Sequence, residues 1–277
     1  MPEATASTPP APAFTREGTR HVFRIRAAEV TAVREVGPQI RRVTLGGPDL
    51  HDFSSLGPTD HVKLFLPDPE TGELVAPTVV DGRVVRPAGS APIARDFTPL
   101  PRPAASDDAA LDLDFVLHEH TGPARVFAER VAVGDVVAMG GPRGSRGLPH
   151  DIDGLVLVGD ATALPALSRW VAGAPEGAEV RVVVAADRAG VGEYADLLGA
   201  ASVTWVDRPD DLIDAVRALG EIGPRTFVFA AGEAGAMADV RRCLRRELAL
   251  PTEQIAVTGY WKHGERAFDH HSPLGDD

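Results

Sequence analysis

The chain has 277 residues, 44% of them hydrophobic and only 5% aromatic, and a formal net charge of −12. That length suits one large or two small domains with cores of Val, Leu and Ala, and the acidic balance argues against duplex nucleic acid, whose affinity comes largely from phosphate contacts. A single cysteine, Cys243, excludes an internal disulfide and a thiolate metal cluster and fits a reducing cytoplasm; no run of about 18 apolar residues marks a membrane span.

Residues 1–18 read as a disordered lead-in. They are rich in Pro, Ala, Ser and Thr and lack the basic start and apolar core of a secretion signal. Residues 19–148 read as β-rich. Val22-Phe23-Arg24-Ile25-Arg26, Ile40-Arg41-Arg42-Val43-Thr44-Leu45 and Leu111-Asp112-Leu113-Asp114-Phe115-Val116-Leu117-His118 alternate as half-buried strands do. His61-Val62-Lys63-Leu64-Phe65-Leu66 stops at Pro67, and Val136-Val137-Ala138-Met139 follows a Gly134-Asp135 turn. Short strands with turn-rich gaps predict an antiparallel sandwich or barrel.

The character changes over residues 147–154. Four apolar strands are predicted at residues 155–160, 180–186, 203–206 and 226–230, with helices at 161–172, at about 209–219 and through 246. Alternating strands and helices imply a parallel, doubly wound sheet over residues 149–277. A β-barrel followed by an α/β domain is an arrangement found in flavin reductases, although a fold alone does not give function.

Arg95-Asp96-Phe97-Thr98 carries a cation, a flat ring and a small donor, the three things a flavin's phosphates, ring and polar edge require. In an extended segment Arg95 and Phe97 share one face. An ordinary edge strand with a surface Arg has the same appearance. Further on, a strand runs into His118-Glu119-His120-Thr121-Gly122-Pro123-Ala124-Arg125. Pro123 suits a first helical turn, and the N–H groups of Ala124 and Arg125 would form a pyrophosphate site, or simply open a capped helix. His118 and His120 have strand spacing, but two histidines are poor grounds for a metal, and none is expected here. His118 reads as a neighbour of the flavin and His120 as a solvated loop residue.

In the second half, Gly159-Asp160-Ala161-Thr162-Ala163-Leu164-Pro165 lies at a strand-to-helix turn, where open α/β sheets bind ligands. Asp160 or Thr162 would also serve as a helix cap. Gly232-Glu233 repeats the placement after the fourth strand, and Gly232 permits close approach of a ligand. Tyr260-Trp261-Lys262 offers two rings and a cation, either to cover a planar ligand or to pack the chain's end on the barrel. Asp187-Arg188 after the second strand splits the cofactor signal, since an Asp favours a free ribose hydroxyl and an Arg a 2′-phosphate.

Taken together, these segments resemble the siderophore-interacting protein family of FAD-dependent ferric-siderophore reductases. The resemblance runs from Arg42-Val43-Thr44-Leu45-Gly46-Gly47 and Asp60-His61-Val62-Lys63, through Asp114-Phe115-Val116-Leu117-His118, Gly122-Pro123-Ala124, Gly134-Asp135, Gly141-Pro142-Arg143-Gly144 and Gly159-Asp160, to Gly259-Tyr260-Trp261-Lys262. It implies a six-stranded FAD barrel, an NAD(P)-binding parallel-sheet domain, and an FAD reduced by NADH, NADPH or a ferredoxin that passes electrons to a ferric siderophore and releases Fe(II). By the same resemblance Arg95 faces the pyrophosphate and Phe97 and Thr98 the flavin. His118 lies by its ribityl or ring region, and Gly122, Pro123, Ala124 and Arg125 cradle phosphate. Asp160, Thr162 and Ala163 lie by the cofactor, Gly232 and Glu233 by the nicotinamide, and Lys63 and Lys262 meet an anionic siderophore. No catalytic acid or base is implied, because the chemistry belongs to the flavin.

The chain departs from the family pattern R-x-Y-T-x-R. Phe97 stands for the Tyr and Leu100 for the second Arg, with Arg102 or Arg125 as possible replacements for the lost cation. Phe127 stands for a Trp, Arg125 for a Ser, and Ala161 for a Glu. Losing one charge-assisted phosphate contact costs about 1.5–3 kcal/mol, roughly ten- to a hundredfold in affinity. These departures leave two other readings: a flavin reductase with another acceptor, and a siderophore binder without electron transfer.

Overall fold

The computed structural model describes residues 14–89, 91–102, 109–118, 122–266 and 268–275. Six antiparallel strands build the first half: β1 (Ile25–Gly37), β2 (Ile40–Gly46), β3 (Val62–Leu66), β4 (Ile93–Phe97), β5 (Ala110–Val116) and β6 (Val136–Gly140). They pair in the order β4–β3–β6–β1–β2–β5, and the two-residue strand Leu100–Pro101 extends the β5 edge. The two edges of this sheet, β4 and Leu100–Pro101, are joined in the chain through Thr98 and Pro99, so the sheet curls into the expected barrel. Apolar residues at alternate positions fill it, among them Val30, Val43, Leu64, Leu113 and Met139. Helix α1 (Pro123–Arg130) closes one side with Phe127 and Ala128.

The second half is a parallel five-stranded sheet. Its strands are β7 (Gly154–Asp160), β8 (Glu179–Ala185), β9 (Ser202–Val206), β10 (Thr226–Glu233) and β11 (Ile255–Trp261), in the order β9–β8–β7–β10–β11. Helices α2 (Leu164–Ala172), α3 (Leu212–Ala218) and α4 (Ala234–Arg242) cover it. Both faces are buried, which is why Leu155-Val156-Leu157-Val158 reads as an unbroken apolar run. Trp170 stacks on Phe227 and Phe229 on one face, and Leu212, Met237 and Leu244 fill the other. The strand order reverses between β7 and β10, and the crevice at their carboxyl ends is the topological switch point.

Several expectations shift. The strand predicted over residues 22–26 begins only at Ile25 and runs on to Gly37, leaving Val22 78% exposed. Small inward alanines hide its alternation. The helix expected from residue 161 opens with a tight turn over Ala161–Ala163 before Pro165 enters the first turn of α2. The helix expected through 246 is α-helical only to Arg242 and widens over Cys243–Glu247. β11 was not foreseen as a strand. The disordered lead-in does not extend to residue 18: Arg16–Arg20 forms a strand paired with Gly144–Pro149, and the Arg16 guanidinium lies 5.0 Å from the Trp170 ring centre. His120 lies outside the described residues.

Candidate cofactor and substrate site

On the barrel, Arg95, Phe97 and Thr98 occupy the end of β4 and the turn after it, beside β3. The Arg95 guanidinium donates to the Ala94 carbonyl at 2.7 Å and forms no ion pair among the described residues. Burial lowers its pKa, against the neighbouring Asp96 carboxylate. Phe97 lies 4.4 Å from Phe115, centre to centre, and Phe115 lies 5.7 Å from Phe127 of α1. This row of rings connects β4 to the helix that Gly122 opens, so two segments 25 residues apart border one region. No side chain caps α1, its first turn carries no acidic residue, and a Cβ placed on Gly122 meets nothing within 4 Å. The first-turn N–H groups thus lack a side-chain cap among the described residues, a feature of anion sites at helix starts. A half-buried cation without an ion-pair partner among the described residues, a half-buried ring and a helix start without a side-chain cap fit the phosphates and ring of an FAD.

Other residues of the barrel group carry local duties. Arg125 pairs with Glu129 at 2.8 Å, and Arg102 reaches Asp112 at 3.7 Å and Thr44 at 3.5 Å. His118 lies exposed just beyond β5.

The second group is tied together by its own hydrogen bonds. Asp160 is only 4% exposed and accepts from Thr162 N–H (2.9 Å), Thr162 hydroxyl (2.5 Å), Glu233 N–H (2.8 Å) and Trp261 Nε1–H (2.9 Å). Burial raises its pKa against these four donors. Its carboxylate thus ties together the ends of β7, β10 and β11, and these four bonds give it a structural role at the place where cofactor contact is expected. Ala163 is fully buried in the core. Glu233 accepts from Ala236 N–H at 2.9 Å as the cap of α4 and from His263 N–H at 3.1 Å. Gly232 has φ 155°, and a Cβ there would stand 2.6 Å from the Asp160 carboxylate. Glycine is required at this position by the protein itself.

Sequence reasoning left open what Tyr260 and Trp261 do. Trp261 anchors on Asp160. The Tyr260 phenol meets the Thr98 side chain; burial pushes its pKa up to about 12, against that hydrogen bond. Thr98 is 9% exposed and lies where the barrel and the parallel sheet meet. The same junction holds Arg169, which donates to the Ser55 hydroxyl, the Ser55 carbonyl and the Pro99 carbonyl, each at 2.9 Å.

On the exposed side, Lys63 pairs with Asp96 at 2.8 Å and Lys262 with Glu265 at 3.3 Å. Asp96 is held down at about 2: burial alone would raise it, and the hydrogen bonds from His270 and Lys63 outweigh that. The C-terminal segment that brings His270 here carried no periodic signal, only a cluster of histidines.

A curled antiparallel barrel with an uncapped helix, followed by a parallel sheet with its switch point at the junction, defines the ferredoxin-reductase-like class. Phthalate dioxygenase reductase shares this fold with a TM-score of 0.56 at 13% identity, covering 88% of this chain and 70% of that one. The profile of the siderophore-interacting FAD-binding domain matches residues 29–146, and that of the siderophore-interacting protein matches residues 152–264. The chain is 30% identical to the NADPH-dependent ferric-chelate reductase of Escherichia coli, over 87% of this chain and 94% of that one. A siderophore utilization protein from T. fusca superposes with a TM-score of 0.81 at 36% identity, covering 93% of this chain and 100% of that one. The chain belongs to the siderophore-interacting protein family. No helix among the described residues is long and apolar enough to cross a membrane.

Proposed function

We propose that the chain binds FAD on the barrel beside Phe97, whose ring packs on the buried Phe115, and uses it to carry electrons from NAD(P)H to a ferric siderophore, releasing Fe(II). The observation that carries the reading is that Arg95 and Phe97 share strand β4, and that the Phe97 ring is linked through Phe115 to Phe127 of α1, whose start has no side-chain cap among the described residues. A bound flavin supplies the redox chemistry, accepting an electron pair from the nicotinamide and delivering electrons singly to iron. The protein's part is to hold and orient it. Arg95 and the N–H groups of Ala124 and Arg125 take the pyrophosphate, Phe97 lies along the ring, and Thr98 and Tyr260 define its polar edge. His118 stands toward the ribityl side.

The nicotinamide is assigned to the switch-point crevice between β7 and β10. Thr162, Gly232 and Glu233 border it, but their hydrogen bonds make them its framework rather than its donors. NADPH is the favoured donor. The Asp187 carboxylate accepts from Ala189 N–H at 3.0 Å, and Arg188 beside it is exposed to meet a 2′-phosphate. Lys63 and Lys262, both exposed, are assigned to the anionic ferric complex. A nicotinamide donor and a single buried thiol at Cys243 support assigning this work to a reducing cytoplasm.

The test is FAD titration of the purified chain, followed by reduction of a ferric catecholate and a ferric hydroxamate with a ferrous chelator as reporter. NADPH, NADH and reduced ferredoxin are compared as donors. Stoichiometric FAD uptake and NADPH-driven ferrous chelate formation are expected; a chain that refuses FAD overturns the reading.

A further inference from the structure

Three imidazoles converge where the C-terminal segment crosses β3 and β4. His61 directly precedes β3, and His270 and His271 follow β11 and the turn after it. One ligand nitrogen from each lies within 4.8 Å of the others. The rings of His61 and His270 stand 4.6 Å apart at 71°, and those of His270 and His271 3.9 Å apart at 41°.

The state of His270 distinguishes this cluster from a chance meeting of rings. Its Nδ1 lies 3.1 Å from the Asp96 carboxylate, which has no proton to give and therefore accepts from Nδ1–H. In the neutral ring this fixes the tautomer, with Nδ1 as the donor and Nε2 as the free acceptor. Nε2 is buried and has no hydrogen-bond partner among the described residues. A buried acceptor without a donor is unfavourable, and each such atom calls for an explanation. A carboxylate behind one imidazole nitrogen, with the other nitrogen presented bare to two further imidazoles, is the arrangement by which proteins orient histidine for a metal. Neither the flavin nor the nicotinamide chemistry uses any of these groups.

We propose that His61, His270 and His271 form a binding site for a first-row divalent cation, with Asp96 orienting His270. Three neutral imidazoles suit Fe, Co, Ni, Cu or Zn and are a poor set for Mg or Ca, which take oxygen ligands. Nitrogens bound to one such ion at about 2.0–2.1 Å cannot be more than about 4.2 Å apart. The outer members, His61 and His271, are exposed, and binding requires them to turn inward to close the remaining gap. Lys63 also pairs with Asp96, so the site adjoins the lysine assigned to the ferric complex. If that assignment and the reductase reading hold, the ion is Fe(II) leaving the reduced complex. The transfer is then a ligand exchange, in which Fe(II)–siderophore bonds break, Fe(II)–imidazole bonds form, and no electron moves. Binding itself does not depend on that reading.

The experiment is anaerobic titration of the metal-free full chain with Co(II) and Fe(II), followed by calorimetry and, for Co(II), by visible absorption. One ion per chain is expected, with Mg(II) not competing. His61→Ala and His271→Ala each lower the affinity at least tenfold, and Asp96→Asn lowers it about tenfold through loss of the outer-sphere partner. Because His61 and His271 are exposed, these variants keep the native melting temperature, which checks their folding. Absence of stoichiometric binding, or binding that survives His61→Ala and His271→Ala together, overturns the site. FAD uptake is titrated separately on the same preparations, so failure of the flavin reading and failure of the metal site are distinguishable.

Discussion

The Tyr194 phenol donates to the Asp114 carboxylate at 2.5 Å, linking the α/β half of the chain to the barrel. The same carboxylate receives two bonds of 2.7 Å from Arg42, so one buried acid of β5 anchors both the barrel wall and the second sheet. Burial, then the Asp114 charge, raise the Tyr194 pKa well above its ordinary value. Tyr194→Phe removes one charge-assisted bond and is expected to cost about 1.5–3 kcal/mol. Asp114→Ala leaves the buried Arg42 with only the longer 3.8 Å pairing to Asp112 and is expected to cost about 3 kcal/mol. Chemical denaturation of both variants checks the order; equal losses would remove the anchoring role of Asp114.

Two substitutions test the proposed FAD site. Arg95→Ala withdraws the unpaired cation of β4 and is expected to weaken FAD binding about ten- to a hundredfold. Leu100→Arg returns a cation that the family places near the cofactor and is expected to tighten binding about tenfold. Flavin fluorescence titration reads both. No change with Arg95→Ala would move the phosphates away from β4.

The glycines give a sharper contrast. Gly122→Ala adds a Cβ into open space, with nothing within 4 Å. Its cost in stability is expected to be small, about 0.5–1 kcal/mol from a poorer helix cap, while FAD affinity falls. Gly232→Ala drives a Cβ to 2.6 Å from the Asp160 carboxylate at a φ of 155°. It is expected to cost about 1–3 kcal/mol and to raise the KM for NADPH more than that for the ferric acceptor. Thermal melts with KM measured for each substrate separate the two outcomes.

The barrel and the doubly wound sheet were legible because their cores impose periods of two or continuous apolar runs. What was not legible depended on the two halves meeting. Leu111-Asp112-Leu113-Asp114-Phe115 reads as a strand with one wet face, yet Asp112 and Asp114 are both 7% exposed because partners from outside the strand cover that face. Asp160 and Glu233 stand at a position where ligands bind, and local capping and tertiary hydrogen bonds claim them first. Thr98 was singled out from the sequence, but its partner Tyr260 comes from a strand 162 residues later that no pattern announced. The histidine cluster is illegible for the same reason: His61 and His270 are brought together only by the path of the C-terminal segment.

Tyr260 makes the junction sensitive to alkali. Its pKa is pushed up to about 12 in the folded chain, against about 10 when unfolded. Below pH 10 both states hold the proton and the native contact contributes fully. Between pH 10 and 12 the unfolded chain releases it while the folded chain keeps it, so stability falls as pH rises, by about 2 kcal/mol across the window after allowing for partial exposure. Tyr260→Phe has no proton to lose and is expected to show a shallower alkaline decline. Denaturant unfolding of both proteins at intervals from pH 9 to 12 measures the difference, from which the general deprotonation of lysines cancels. Parallel curves would mean that the phenol at the Thr98 junction titrates as freely in the folded chain as in the unfolded one.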